Sequence, residues 1–234
     1  MSKISIAAAW GCLIVITALD AQETPPGVYD FNPEDPPRSV VWYDDARQET
    51  ERVFNRLLKA LRRRRDYRTP TKLAYGNPDI TGENPAANCL LGRCDPNVAL
   101  VGVHPMLFDI VRNEHELALV MAHEFAHLKL GHNEIRIIAM EGAPETAGRQ
   151  ALHQLIWDQE KEADLQAVPY MRQAGFRCAQ ARRVFRHFAD YLWAVRGKTR
   201  EDVKRFFEKS RTHETPEERE RLFLTLCPEA AQAR

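Results

Sequence analysis

His123-Glu124-Phe125-Ala126-His127, inside the run from Asn113 to Gly131, is the stretch that decides the reading of this 234-residue chain. On a helix, residues four apart lie on one face. His123 and His127 can therefore present two imidazoles to one metal ion, with Glu124 beside them to hold a water. The flanking residues favour that helix. Asn113 followed by Glu116 has the form of a capping pair, side chain to amide and back. Leu117, Val120, Met121, Phe125, Leu128 and Leu130 recur at helical spacing, and Gly131 is a stop. The bland alternative is an amphipathic helix whose histidines happen to recur. It fares poorly, because two His and a Glu on one turn of a largely apolar helix are costly to bury unless paired or metal-bound.

A catalytic zinc needs a third protein ligand and one open position. A third histidine ten residues after His123 would fall on Asn133, which excludes that form. His132 misses by one and reads as a structural histidine near the helix end. The other form takes a carboxylate from a separate, later helix. Glu160-Lys161-Glu162-Ala163-Asp164 supplies it, since Glu160 and Asp164 are four apart and share a face. Glu160 could bind the metal while Asp164 orients a ligating histidine. Taken alone, this stretch reads equally as a solvated charged face.

These two motifs together resemble those of the HtpX/BepA-like zinc metallopeptidases, gluzincins of metallopeptidase family 48 related to the CAAX prenyl proteases. A third segment, Thr212-His213-Glu214-Thr215-Pro216-Glu217-Glu218-Arg219, is similar to that family's Thr-His-Pro-x-x-x-x-Arg stretch, with Glu214 in place of the usual proline. The resemblance runs from about Asn84 to Leu226. It implies one zinc ion per chain with His123, His127 and Glu160 as ligands, Glu124 as catalytic base and Asp164 as the carboxylate behind a ligand. It makes His213 a second catalytic candidate and Arg219 a candidate for oxyanion or substrate binding. It also allows that His213 blocks the open zinc position at rest. The implied fold is α+β and mostly helical, a zincin-like domain with a small β-sheet beside the zinc-binding helix.

Composition narrows the class. Lys plus Arg and Asp plus Glu are 33 each, so zero net charge gives no case for a nucleic-acid partner. The one basic block, Arg62 to Arg65, reads as the end of an exposed helix, with anionic lipid or an acidic partner as the alternative. Residues 1–21 read as a signal peptide or an N-terminal anchor: Lys3 precedes an apolar stretch from Ile4 to Leu19 that is short for a full membrane span. Cys12 keeps a lipoprotein signal open as a minor reading. Residues 22–39, rich in proline, read as a tether, and 40–234 as the catalytic domain. Removing Cys12 leaves four cysteines, which suits an oxidising compartment. Of three pairings, Cys89–Cys94 with Cys178–Cys227 is preferred; four free thiols is the alternative.

The periodicity predicts a helix over about 44–65, loops with short strands over 66–96, a strand at 98–103 and the zinc helix at 114–130. A turn follows at 141–148. A long helix at about 146–171 carries Glu160 and Asp164, with Pro169 in its last turns and Gly175 at its end. Further helices are expected at 179–195, with Phe185, Phe188, Leu192 and Trp193 in the core, after Thr199, and after the Thr215-Pro216-Glu218 start signal. The remaining histidines (104, 115, 153 and 187) read as structural. The expected function is an exported, periplasmic zinc endopeptidase acting on unfolded or misassembled envelope proteins. Its substrate is bound in extended form along the free edge of the strand at 98–103. A non-hydrolytic chaperone or assembly factor with a structural or latent zinc is the second reading. Anchoring to the inner membrane, contact with either membrane and oligomeric state stay open.

Overall fold

The computed structural model describes residues 45–63, 67–76, 87–91, 98–142, 147–196, 205 and 213–232. The readings that concern residues 1–39, the Cys89–Cys94 pairing, the Trp193 side chain and a helix after Thr199 lie outside them. Helix α1 (Ala46–Arg63) buries Val53, Phe54, Leu57, Leu58 and Leu61, the stripe its sequence period demands. Its polar face reaches across to the next layer. Arg52 and Arg56 pair with Glu114 at the start of the following long helix, and Arg56 also donates to the carbonyls of Ala174 and Gly175.

Three strands form one sheet of order β1-β3-β2. Strand β1 (Thr71–Tyr75) runs parallel to β3 (Ala99–Val103), in register from Thr71 opposite Ala99 to Tyr75 opposite Val103. Strand β2 (Ala87–Leu91) runs antiparallel on the other side, from Ala87 opposite Val103 to Leu91 opposite Ala99. The expectation that β3 has a free edge is therefore wrong. Its near-continuous apolar run, with Ala99, Val101 and Val103 fully buried, is what a central strand requires. Among the described residues, the outer strand that packs against the metal-motif helix is β2.

Helix α2 (Glu114–Leu130) carries His123 to His127. Every residue from His115 to His127 is buried, so this helix has no solvent face over three turns. Asn113 caps it, its Oδ1 accepting from the amides of His115 at 2.9 Å and Glu116 at 3.0 Å. The return half of the expected capping pair is absent. The Glu116 carboxylate accepts from the Arg112 amide at 2.7 Å and faces His187 Nδ1 at 3.1 Å. Gly131 ends the helix at φ 68°, the left-handed conformation that glycine adopts without strain.

No element was expected directly after Gly131, yet the chain forms α3 (His132–Gly142) there. Helix α4 (Ala147–Gln173) runs through Pro169 and stops before Gly175, at φ 81°. The helix expected over 179–195 divides into a 3-10 turn at Cys178–Ala181 and α5 (Val184–Arg196), which buries Phe185, Phe188 and Leu192. Helix α6 (Pro216–Leu226) starts with the full capping box, Thr215 and Glu218 exchanging both hydrogen bonds, and α7 (Pro228–Gln232) follows. Among the described residues, helices α2 and α4 share the most extensive helix–helix packing. Among the described residues no helix is long and apolar enough to cross a membrane.

Cys178 and Cys227 form the expected disulfide, tying the turn before α5 to the end of α6 across 49 residues. Closing a loop of that length removes unfolded-chain entropy worth about 4 kcal/mol. Replacing both cysteines by serine is expected to lower unfolding free energy by about that amount in urea titrations. An unchanged midpoint would show that the bridge contributes no net stability.

Candidate metal centre

Two helices build the site, because α2 and α4 are buried against each other along the turns that carry the motifs. His123 and His127, one turn apart on α2, face Glu160 on α4. The His123 and His127 Nε2 atoms are 3.0 Å apart. Glu160 Oε2 lies 3.0 Å from His123 Nε2 and 3.4 Å from His127 Nε2. All three side chains are buried, and their ligand atoms form a mutually close set. The three expected ligands are thus brought together, although Glu160 belongs to a helix far along the chain from the two histidines.

The donor set fits a divalent metal on chemical grounds. The His123 Nδ1 proton goes to Asp164 Oδ1 at 2.8 Å, because a carboxylate can only accept. Without metal and at neutral pH the other His123 nitrogen is protonated and donates to Glu160 Oε2. Once that proton leaves, Nε2 joins His127 Nε2 and the Glu160 carboxylate as three acceptors around one place, which a divalent cation can occupy. Metal–ligand bonds of about 2.0–2.2 Å at tetrahedral angles place donor atoms roughly 3.3–3.6 Å apart, close to the spacing seen here.

Each of the three candidate ligands is also held at its far atom. Asp164 fixes the His123 ring and is itself gripped by Arg219, whose Nε and Nη2 donate to its two oxygens at 2.7 and 2.6 Å. The His127 Nδ1 lies 2.8 Å from His132 Nδ1, so one proton is shared between the two rings. With His127 Nε2 turned to the site, His127 donates and His132 accepts. Glu160 Oε1 accepts from Arg136 Nη2 at 2.9 Å. Partners of this kind set tautomer and ring orientation.

Electrostatics follow the same plan. Burial disfavours the His123 imidazolium, but hydrogen bonds and charge from Asp164 and Glu160 outweigh it and raise its pKa to about 9. Burial would push the Asp164 carboxyl up, yet Arg219 and His123 hold it well below the usual range. Glu160 is likewise held well down, against its burial, by His213, His127 and His123. Burial, then His127 and Arg136, push the His132 imidazole down to about 3, so it stays neutral and able to accept.

The other expected residues fall as follows. Glu124 is buried beside the ligands, near enough to Arg219 to bear on its charge. His213 is buried with Nε2 3.0 Å from Glu160 Oε2, though it is not in the mutually close set of three. Arg219 commits two of its N–H groups to Asp164. Of the histidines read as structural, His104 caps a 3-10 turn, His115 accepts from the Arg177 amide and His187 packs on Glu116. The sequence reading missed Arg136 altogether, and read His132 as a structural histidine without its contact to His127. Their spacing of four was a usable signal, but it needed a helix after Gly131 to give it meaning.

Residues 78–223, more than half of the chain, match the family model described as Peptidase family M48. That span contains every ligand and partner described above. No curated protein and no solved structure gives a significant match.

The raised His123 pKa has a measurable consequence. Without metal the site holds this proton below about pH 9 and loses it above. Metal needs the same nitrogen pair, so binding at pH 7 should release about one proton, and apparent affinity should rise roughly tenfold per pH unit up to about 9. Titration calorimetry in buffers of differing ionisation enthalpy reads this number directly. Binding without proton release would contradict the assignment.

Proposed function

Because the chain belongs to peptidase family M48, whose members are metal-dependent peptidases, we propose that it is an exported zinc endopeptidase of unfolded or misassembled polypeptides. The observation that carries this reading is the convergence of His123, His127 and Glu160 on one point, with Glu124 next in the same buried turn. A purely structural metal would have no use for Glu124. Zinc fits the nitrogen and carboxylate donors, and when bound it would lower the pKa of a water and polarise a peptide carbonyl.

The chain's own residues divide the remaining work. Glu124 takes the proton as water attacks the carbonyl carbon, then delivers it to the leaving amine as the C–N bond breaks. Asp164 and Arg219 keep the His123 ring turned to the site. His213, buried with Nε2 3.0 Å from Glu160 Oε2, takes the role of donor to the oxyanion that forms on the carbonyl oxygen. Arg219, bound to Asp164, also interacts electrostatically with Glu160 and Glu124.

Substrate recognition moves from β3 to β2. This outer strand packs against the helix that carries the motif, so an extended polypeptide added to it would run alongside the site. Backbone pairing predicts loose sequence preference and a requirement for unfolded chains. Two features support export: the apolar stretch Ile4–Leu19 after Lys3 and a formed Cys178–Cys227 disulfide. The periplasm, with or without an N-terminal anchor, satisfies both.

Glu124→Gln should keep one metal per chain while casein cleavage falls roughly 10²–10⁴-fold. If the variant and the wild type cleave alike with metal bound, hydrolysis by this site is refuted. If neither cleaves, yet both suppress aggregation of unfolded proteins, the chaperone reading takes over.

A further inference from the structure

Among its described side chains, helix α3 exposes apolar residues and buries polar ones. Its exposed face carries Ile135 and Ile138, while His132 and Asn133 are buried and Arg136 turns inward. Burial alone would orient such a helix the other way. What the inward face touches explains the inversion. His132 meets His127, and Arg136, one turn on, spans two successive residues of α4: Nε donates to Gln159 Oε1 at 2.5 Å and Nη2 to Glu160 Oε1 at 2.9 Å. The Gln159 amide then donates back to the His132 carbonyl at 3.4 Å. Gln159 and Glu160 are both buried, and the Arg136 side chain is only 11 % exposed.

The geometry points to Arg136 as a positioning residue that makes Glu160 a one-oxygen ligand. A carboxylate with both oxygens open can turn, or offer both to a metal. Arg136 occupies Oε1, so Oε2 is the oxygen that faces His123 and His127, with His213 Nε2 3.0 Å from it as well. Its planar fork is suited to this because it grips the neighbouring Gln159 at the same time, which fixes the side chain and with it the carboxylate plane. A lysine ammonium could supply charge but not both contacts at fixed angles. Glu160 therefore takes up one position, so the open place in the coordination sphere is kept for water and substrate. This inference rests on the metal-centre reading above.

The test uses metal-free full-length protein titrated with Co2+ against a chromophoric chelator, as wild type, Arg136→Gln and Arg136→Lys. Arg136→Gln should weaken binding roughly 10–100-fold and lower the visible absorption intensity of bound Co2+, as Glu160 offers its second oxygen and coordination number rises. Arg136→Lys should keep affinity within about tenfold yet show the same spectral change, a signature that loss of packing alone would not produce. Should Arg136→Gln fail to fold, the lysine variant decides by its spectrum. Wild-type spectra and affinities within about threefold in the variants that fold would overturn the proposal while leaving the metal centre intact. A wild type that takes up no Co2+ would overturn both.

Discussion

Three electron-pair donors held close to one another inside a protein require positive charge between them. His123 gives its Nδ1 proton to Asp164, and Glu160 has none to give, so their remaining atoms and His127 Nε2 face each other as acceptors. A proton on His123 satisfies this arrangement when metal is absent, and against burial the hydrogen bond and charge of Asp164, then the hydrogen bond to Glu160, raise its pKa. A divalent ion satisfies it better, since it can bind all three at once. The close packing of α2 on α4 brings the three groups together, while Phe125, elsewhere on α2, packs on Phe54 of α1.

Buried charge is tolerable only when paired, and the pairing here extends outward in three directions. From His123 it runs through Asp164 to Arg219 on α6. From Glu160 it runs to Arg136 on α3. From His127 it runs to His132 and on toward Glu162, 3.4 Å from its Nε2. The first of these routes anchors the C-terminal helices, which the Arg186–Glu220 pair, the Phe185–Phe223 ring contact and the Cys178–Cys227 bridge also hold. The centre thus depends on residues from four helices, and those helices depend on the centre in return.

Reading the chain alone succeeded wherever the signal was local. The cap at Asn113, the stop at Gly131, the box at Thr215 and Glu218, and the i,i+4 pair of histidines are each specified by neighbours within a turn. It failed on β3, where an apolar run is compatible with any strand position and only pairing distinguishes centre from edge. It failed on α3 because no helix was expected after Gly131, so nothing related His132 and Arg136 to each other or Arg136 to Glu160.

Sequence by itself determined which residues can chelate and which turn presents them, because helical geometry fixes the direction of side chains four apart. It also made Glu160 and Asp164 a matched pair, since two carboxylates at that spacing share a face on one helix. Only the tertiary structure decided that the second helix packs closely against the first, that Arg219 reaches Asp164 and Arg136 reaches Glu160, and that, among the described residues, β3 is central and β2 is the outer strand beside the motif helix. Those outcomes turn on contacts between distant segments, where burial and charge pairing over the whole fold outweigh any preference a short stretch can encode.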